Sequence, residues 1–357
     1  MKGESLCLRV LKPSAEKVRQ QLIQLALMDV ERRISGGDRF VDIPLLREPD
    51  DNEWKVLRGL APETESVEVE SRLLEKAGHP RSVAEVLKDR IDPKLLPSVG
   101  RSFDVIGDIA IIEVARGLDS VKRLIAEAII EVHRGVKTVL CKSGAVDGQY
   151  RVRSYEHVLG EARTVTTHRE HGCQYVLDVT KVYFSPRLAT EHLRVASQVS
   201  PKEIVIDMFA GVGPFAILIA KKKGAVVHAI DVNPDAVRYI KMNCRLNKVE
   251  RLVDPILGDA RVVISRNLAG IADRIIMNLP SASLEFMDAA CSALKPGGGV
   301  LHSYQFQSGS DPIGDAVEAL RVRLKSLGRT LHTTLGGRLV RSSAPHEWQV
   351  AVDSIVE

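Results

Sequence analysis

At 357 residues and 39.2 kDa, with 45% hydrophobic and 27% charged residues, the chain is too long for one small core and too ordinary to be disordered or collagenous. Fifty Lys and Arg against 46 Asp and Glu leave a net charge of +4 and a pI near 8.7, which permits a polyanionic partner without demanding one. Cys7, Cys141, Cys173, Cys244 and Cys291 are scattered with no C-x-x-C pair, and no run has the length of a signal core or membrane span, so a reduced cytoplasmic protein with no membrane partner is expected.

Ser5–Val10 reads as a strand, Ser14–Leu27 as an amphipathic helix and Glu31–Leu45 as a hairpin turning at Gly36-Gly37, a small βαββ unit. The polar run 47–52 has linker composition, and residues 54–97 look charged and helical, broken at Gly78-His79-Pro80. The N-terminal unit holds no catalytic constellation, which leaves docking as its expected role.

Asp104–Val114 reads as one strand. Leu118, Val121, Ile125, Ala128, Ile129 and Val132 then fall on one helical face, and Val136–Lys142 returns as a strand. In the next strand, Gln149–His157, Arg151 and Arg153 are two apart and point to one face. On an open sheet they would be a solvated edge; facing a cleft they would hold an oxyanion or phosphate.

Thr164–His168 and Gln174–Phe184 flank a turn carrying His168, His171 and Cys173. No second ligand cluster lies nearby, so no metal site is expected. Ser185-Pro186 opens a helix bearing Arg187, Glu191, His192 and Arg194. Arg187 and Glu191, four apart, could be a surface ion pair, or the helix could hold a carboxylate above the strand it leads into.

That strand, Glu203–Asp207, is followed by the loop Ala210-Gly211-Val212-Gly213 and a helix at Pro214, an arrangement that aims backbone N–H groups and a helix dipole at a ligand. Gly211–Ala216 formally satisfies the dinucleotide pattern, but Asp207 at the strand tip would repel a pyrophosphate and attract the ammonium and sulfonium of S-adenosylmethionine. Asp231 ends the next apolar run, placed to accept both ribose hydroxyls, and Asp259 follows a third strand, placed to accept from an adenine amino group. Arg274–Met277 runs into Asn278-Leu279-Pro280, a tip that in methyltransferases acting on planar nitrogens holds the acceptor. Further on, Leu284–Leu294 and Asp315–Leu327 read as helices, Val300–Tyr304 as a strand, and Leu331–Leu339 with Trp348–Val356 as an antiparallel pair. The alternation gives an α/β fold with a doubly wound sheet and a reversed edge strand.

Arg151-Val152-Arg153, the run Asp178–Glu191 (DVTKVYFSPRLATE), Asp207–Phe215 (DMFAGVGPF) and Ile276–Pro280 (IMNLP) together resemble the archaeal and eukaryotic type tRNA (guanine(37)-N1)-methyltransferases over nearly the whole chain. The resemblance implies a class I, Rossmann-like methyltransferase domain over residues 164–357, preceded by two smaller α/β domains, a docking domain over 1–66 and an RNA-recognition domain over 67–163. It implies methylation of the guanine 3′ of the anticodon, with S-adenosyl-L-methionine as donor and tRNA as partner. Glu191 would remove the N1 proton, Arg151 would meet the charge on O6, and Asn278 and Pro280 would place the flipped base. Phe209, Gly211, Gly213, Asp231, Val232, Asp259, Ala260 and Asn278 would join Asp207 around the donor. Arg151, Arg153, Tyr183 and Arg187 would contact substrate. His192 stands where the family often has an arginine, and a donor contact is expected of it too. A monomer is expected, with Mg2+ accompanying the tRNA. The rivals are aminocarboxypropyl transfer in wybutosine formation, against which the Asn-Leu-Pro tip argues, methylation of a tricyclic guanine derivative, and a non-catalytic tRNA-binding protein.

Overall fold

Apolar alternation in the first strand and an amphipathic helix after it build the first unit of the chain. The computed structural model describes residues 2–29, 31–37, 39–60, 68–75, 82–88, 90–100, 103–115, 117–148, 150–344 and 346–357. These form two compact units, Met1–Arg90 and Ile91–Glu357. In the first, β1 (Lys2–Leu11), β2 (Ser35–Gly36), β3 (Phe40–Leu45) and β4 (Glu68–Glu75) make an antiparallel sheet in the order 2-3-1-4. Helices α1 (Ala15–Gln24) and α2 (Asp51–Leu60) press Val18, Leu22 and Leu57 onto Leu8, Val10 and Ile43. A short α3 (Val83–Leu87) is capped by Ser82, whose hydroxyl accepts from the Glu85 amide.

Two expectations fail here. The run read as a linker starts a helix: Asp50 Oδ1 accepts from the Asn52 and Glu53 amides, and Glu53 Oε2 accepts from the Asp50 amide, a capping box. The stretch read as helical contains β4, which pairs along β1 from Lys2↔Glu75 to Arg9↔Glu68. The boundary at 66 and the Gly78-His79-Pro80 break lie outside the described residues.

The second unit opens with β5 (Asp104–Ile106) and β6 (Ile109–Ile112), a hairpin rather than the single strand expected. Gly107, at φ +59°, makes the turn. Its amide donates to His168 Nδ1, and the Asp108 amide donates to Thr166 Oγ1. Helix α4 (Lys122–Val132) then crosses to β7 (Thr138–Asp147), parallel to β6, and β8 (Val152–Gly160) returns antiparallel. A separate hairpin, β9 (Val165–Glu170) and β10 (Cys173–Asp178), turns at His171 and Gly172, both at positive φ.

The main sheet follows α5 (Ala189–Gln198). Its elements are β11 (Ile204–Asp207), α6 (Pro214–Lys223), β12 (Val226–Asp231), α7 (Pro234–Asn247), β13 (Val253–Leu257), α8 (Ala260–Val263), β14 (Arg274–Met277), α9 (Met287–Ala293), β15 (Gly299–Ser308), α10 (Pro312–Ser326), β16 (Leu331–Ala344) and β17 (Glu347–Val356). The strand order is 13-12-11-14-15-17-16, with β11 to β15 parallel and β17 antiparallel. This is the expected doubly wound, Rossmann-like sheet, its antiparallel strand lying one place in from the edge. The order reverses between β11 and β14, which opens a crevice at the carboxyl ends of the strands, where such folds bind ligands. Among the described residues no helix is long and apolar enough to cross a membrane.

Candidate active site

The crevice has a volume of about 150 Å³. β11 ends in Asp207, which does not itself line the crevice and is fully buried; among the described residues neither carboxylate oxygen has a hydrogen-bond partner, and burial pushes its pKa up to about 7. Met208 and Phe209, the next two residues, line the wall. The loop then bends through Gly211 (φ +56°) and Gly213 (φ +89°), which a side chain would strain. Gly211 lines the crevice, whereas Gly213 forms the end of α6 against Ile217 and serves the loop's shape.

Asp231, at the end of β12, accepts from the Gly211 amide at 2.7 Å and the Asn233 amide at 2.9 Å, and burial raises it to about 6. Beyond β13, Asp259 caps α8 and pairs with Arg261 at 2.7 Å, which holds its carboxyl below the usual range. The Arg261 guanidinium lies 4.4 Å from the centre of the Phe286 ring, and Phe286 meets Phe209 edge-on at 5.0 Å. Val232 and Ala260 complete this apolar side.

The opposite wall is the tip of β14, Asn278-Leu279-Pro280. Arg151 reaches it from just before β8: its Nη1 donates to Ser281 Oγ at 2.6 Å. At φ +52° it lies outside the strand, so the shared face expected for Arg151 and Arg153 does not form. Arg153 and Arg187 instead line an adjoining cavity, which shares Arg151, Tyr183 and Arg341 with the crevice. Arg187 pairs with Asp104 at 2.7 Å and not with Glu191.

Asp207, Glu191 and His192 line neither cavity. Glu191 is buried; Oε1 accepts from the Tyr304 hydroxyl at 2.7 Å and from Arg194 Nη2 at 2.5 Å, and Oε2 accepts from Arg194 Nε at 2.9 Å. Arg194 continues to Asp353, which accepts from His302 Nδ1, and His302 Nε2 accepts from Arg274, a buried polar chain. His192, expected near the donor, points into the core: its Nδ1 hydrogen-bonds Glu170 Oε1 at 2.7 Å and its ring meets Phe215 edge-on. Burial works against the Glu170 charge, but His168 and His192 hold that carboxyl at about 2.

The turn histidines and Cys173 take separate partners. His171 Nε2 bonds the Ala189 carbonyl, His168 Nδ1 accepts from Gly107, and Cys173 is buried.

Compared with known proteins, residues 166–329 match the TRM5/TYW2 methyltransferase domain, residues 83–164 the TYW2 N-terminal domain and residues 7–53 the tRNA methyltransferase 5 N-terminal domain. The tRNA (guanine(37)-N(1))-methyltransferase Trm5b of Pyrococcus abyssi is 40% identical over 349 residues, 98% of each chain. The chain belongs to the TRM5/TYW2 methyltransferase family. A crystal structure of Trm5b from Pyrococcus abyssi superposes with a TM-score of 0.74 at 40% identity, covering 99% of both chains. The tRNA 4-demethylwyosine(37)-methyltransferase Taw21 of Saccharolobus solfataricus is 38% identical over 71% of this chain and 94% of its own. A structure of M. jannaschii TYW2 in complex with AdoMet aligns at 29% identity with a TM-score of 0.56, covering 72% of this chain and 99% of that one.

Phe286, Phe306, Arg341 and Gln349 line this TRM5/TYW2 site and Tyr304 holds Glu191, none of them singled out from the sequence. Phe286 lies in the stretch Leu284–Leu294, read only as a helix. Tyr304, Arg341 and Gln349 come from the last strands. Arg341 donates to Gln349 Oε1 at 2.8 Å and to the Tyr183 hydroxyl at 3.0 Å, and Gln349 Nε2 donates to Asn278 Oδ1 at 3.1 Å. Polar Gln349 directly before the apolar run Val350–Val352 was the available signal.

Proposed function

We infer that the protein transfers a methyl group from S-adenosyl-L-methionine to N1 of guanosine 37 of tRNA. The observation that carries this is that Arg151, bonded to Ser281 just past the β14 tip, and Asn278 line one crevice with Gly211 and Asp231. The donor set suits a cationic nucleoside: a loop bent at Gly211 and Gly213, a carboxylate for ribose hydroxyls, aromatic side chains of Phe209 and Phe286 for adenine, and buried Asp207 at the end of β11. When bound, the donor supplies an electrophilic methyl group.

The rest is for the chain's own residues. Guanine N1 carries a proton at neutral pH, so a base must take it while a cation meets the charge growing on O6. Arg151 suits the second role as a permanently charged donor at the tip. Asn278 and Pro280 position the flipped base, whose unstacking is offset by contacts elsewhere on the RNA. Glu191 takes the proton only after exchanging its Tyr304 and Arg194 contacts for the base. Arg153, Tyr183 and Arg187, around the adjoining cavity, meet the flanking nucleotides. The enzyme works as a cytoplasmic monomer, with Mg2+ on the RNA side.

The similarity to Taw21 favours a second reading, methylation of 4-demethylwyosine at the same position. Both are tested with labelled donor and tRNA transcripts carrying guanosine, inosine or adenosine at 37, alongside tRNA carrying 4-demethylwyosine. Labelling of the guanosine and inosine forms supports the first; labelling of the tricyclic base alone replaces it.

A further inference from the structure

We propose that Arg341 and Gln349 form a polarity relay that turns the Asn278 amide so that its N–H faces the acceptor, selecting a purine with oxygen at C6. The proposal rests on the methyl-transfer reading above.

The argument starts from a group whose polarity is fixed. A guanidinium donates and never accepts, so the group it touches through Nε must present an acceptor. Arg341 Nε meets Gln349 at 2.8 Å, and that atom is therefore Oε1. The other end of the same amide is Nε2, a donor, and it meets Asn278 at 3.1 Å, which only Oδ1 can satisfy. The Asn278 NH2 is left for the crevice that Asn278 lines. Arg341 and Gln349 face each other in the β16–β17 register, next to an irregularity after Leu339, and Gln349 is 1% exposed. Water therefore has little access to disturb the relay. Arg341 is further steadied by the Tyr183 and Ser185 hydroxyls, so its fork cannot easily turn away.

An N–H donor at this point matches an O6 acceptor and opposes a 6-amino group. It shares the crevice with Arg151, which bonds Ser281 just past the β14 tip, so two donors are available to the atom that gains charge when N1 loses its proton. Gln349 and Arg341 are thus positioning residues acting through Asn278.

The experiment measures binding of two tRNA transcripts, guanosine or 2-aminopurine riboside at position 37, with S-adenosylhomocysteine present. The second base keeps the 2-amino group and lacks O6. Wild type should prefer guanosine by about tenfold. In Gln349→Glu the side chain keeps its Arg341 pairing but can only accept, so Asn278 must turn its oxygen to the crevice; the preference should fall to about threefold or less. Gln349→Leu and Arg341→Met should fall between the two. Melting temperature and S-adenosylhomocysteine affinity report separately on fold and donor site. An unchanged preference in folded Gln349→Glu, or in Arg341→Met should the first not fold, overturns the relay. So does a wild type that methylates guanosine 37 yet shows no preference. A wild type inactive on guanosine 37 overturns the functional reading instead.

Discussion

Glu191 and Tyr304 are joined across the buried face of the main sheet, hydroxyl to carboxylate at 2.7 Å, while Arg194 grips both oxygens of the same carboxylate. A carboxylate so committed can act as the proposed base only by releasing a partner. Glu191→Gln should therefore slow single-turnover methyl transfer by about a hundredfold or more and leave donor affinity within about twofold. Rapid-quench kinetics and calorimetric titration measure the two. Equal losses in both would return Glu191 to a purely structural part.

Asp207 makes a pH prediction. Its folded pKa, raised by burial to about 7, lies above the unfolded value, so the native state holds a proton that the unfolded state has released. Stability from this group is full below about pH 4 and is lost as pH rises through 7. Asp207→Asn should flatten that slope and raise the melting temperature at pH 8. A cationic donor favours the ionised carboxylate, so wild type should release a proton on binding donor at pH 6, and Asp207→Asn should release less, the remainder coming from Asp231, whose carboxyl burial raises to about 6. Calorimetry in buffers of different ionisation enthalpy decides it; equal proton release in both proteins counts against the assignment.

The parallel half of the sheet was legible because each of Asp207, Asp231, Asp259 and Asn278 stands at or just beyond the end of an apolar run, so strand pattern and site pattern coincide. Other parts were hidden by local ambiguity. Ile106 and Ile109 flank a two-residue turn, and the apolar run reads through it as one strand. Arg187 and Glu191 keep helical spacing in sequence, but Arg187 sits in the 3-10 turn Pro186–Leu188 before α5, out of phase with Glu191, which pairs with Arg194 three residues on. Arg341 and Gln349 depend on pairings to Tyr183 and Asn278 that no local pattern encodes.

Gly107 is predicted to tolerate no side chain. It holds φ +59°, and an added Cβ would sit 2.1 Å from Thr166 Oγ1. Gly172 shares the positive φ, at +78°, with nothing within 4 Å. Gly172→Ala should cost about 1 kcal/mol from backbone strain alone. Gly107→Ala should cost about 3 kcal/mol or more, since the β9 contact must also shift. Urea denaturation of both variants compares them, and similar losses would remove the steric part of the argument.

The adenine side is tested through Asp259. Its Oδ1 is taken up by the Arg261 amide and Nε, and Oδ2 by Arg261 Nη2, yet the residue still lines the crevice. A carboxylate there can only accept, which suits a 6-amino group and repels a 6-oxo one. Wild type should therefore bind S-adenosylhomocysteine about tenfold more tightly than its inosine counterpart. Asp259→Asn, able to turn its NH2 inward, should bring the two affinities within about threefold. Phe286→Ala, which removes the ring under Arg261 and beside Phe209, should weaken both ligands alike and leave their ratio intact. If Asp259→Asn instead behaves like Phe286→Ala, the carboxylate shapes the wall without reading the base.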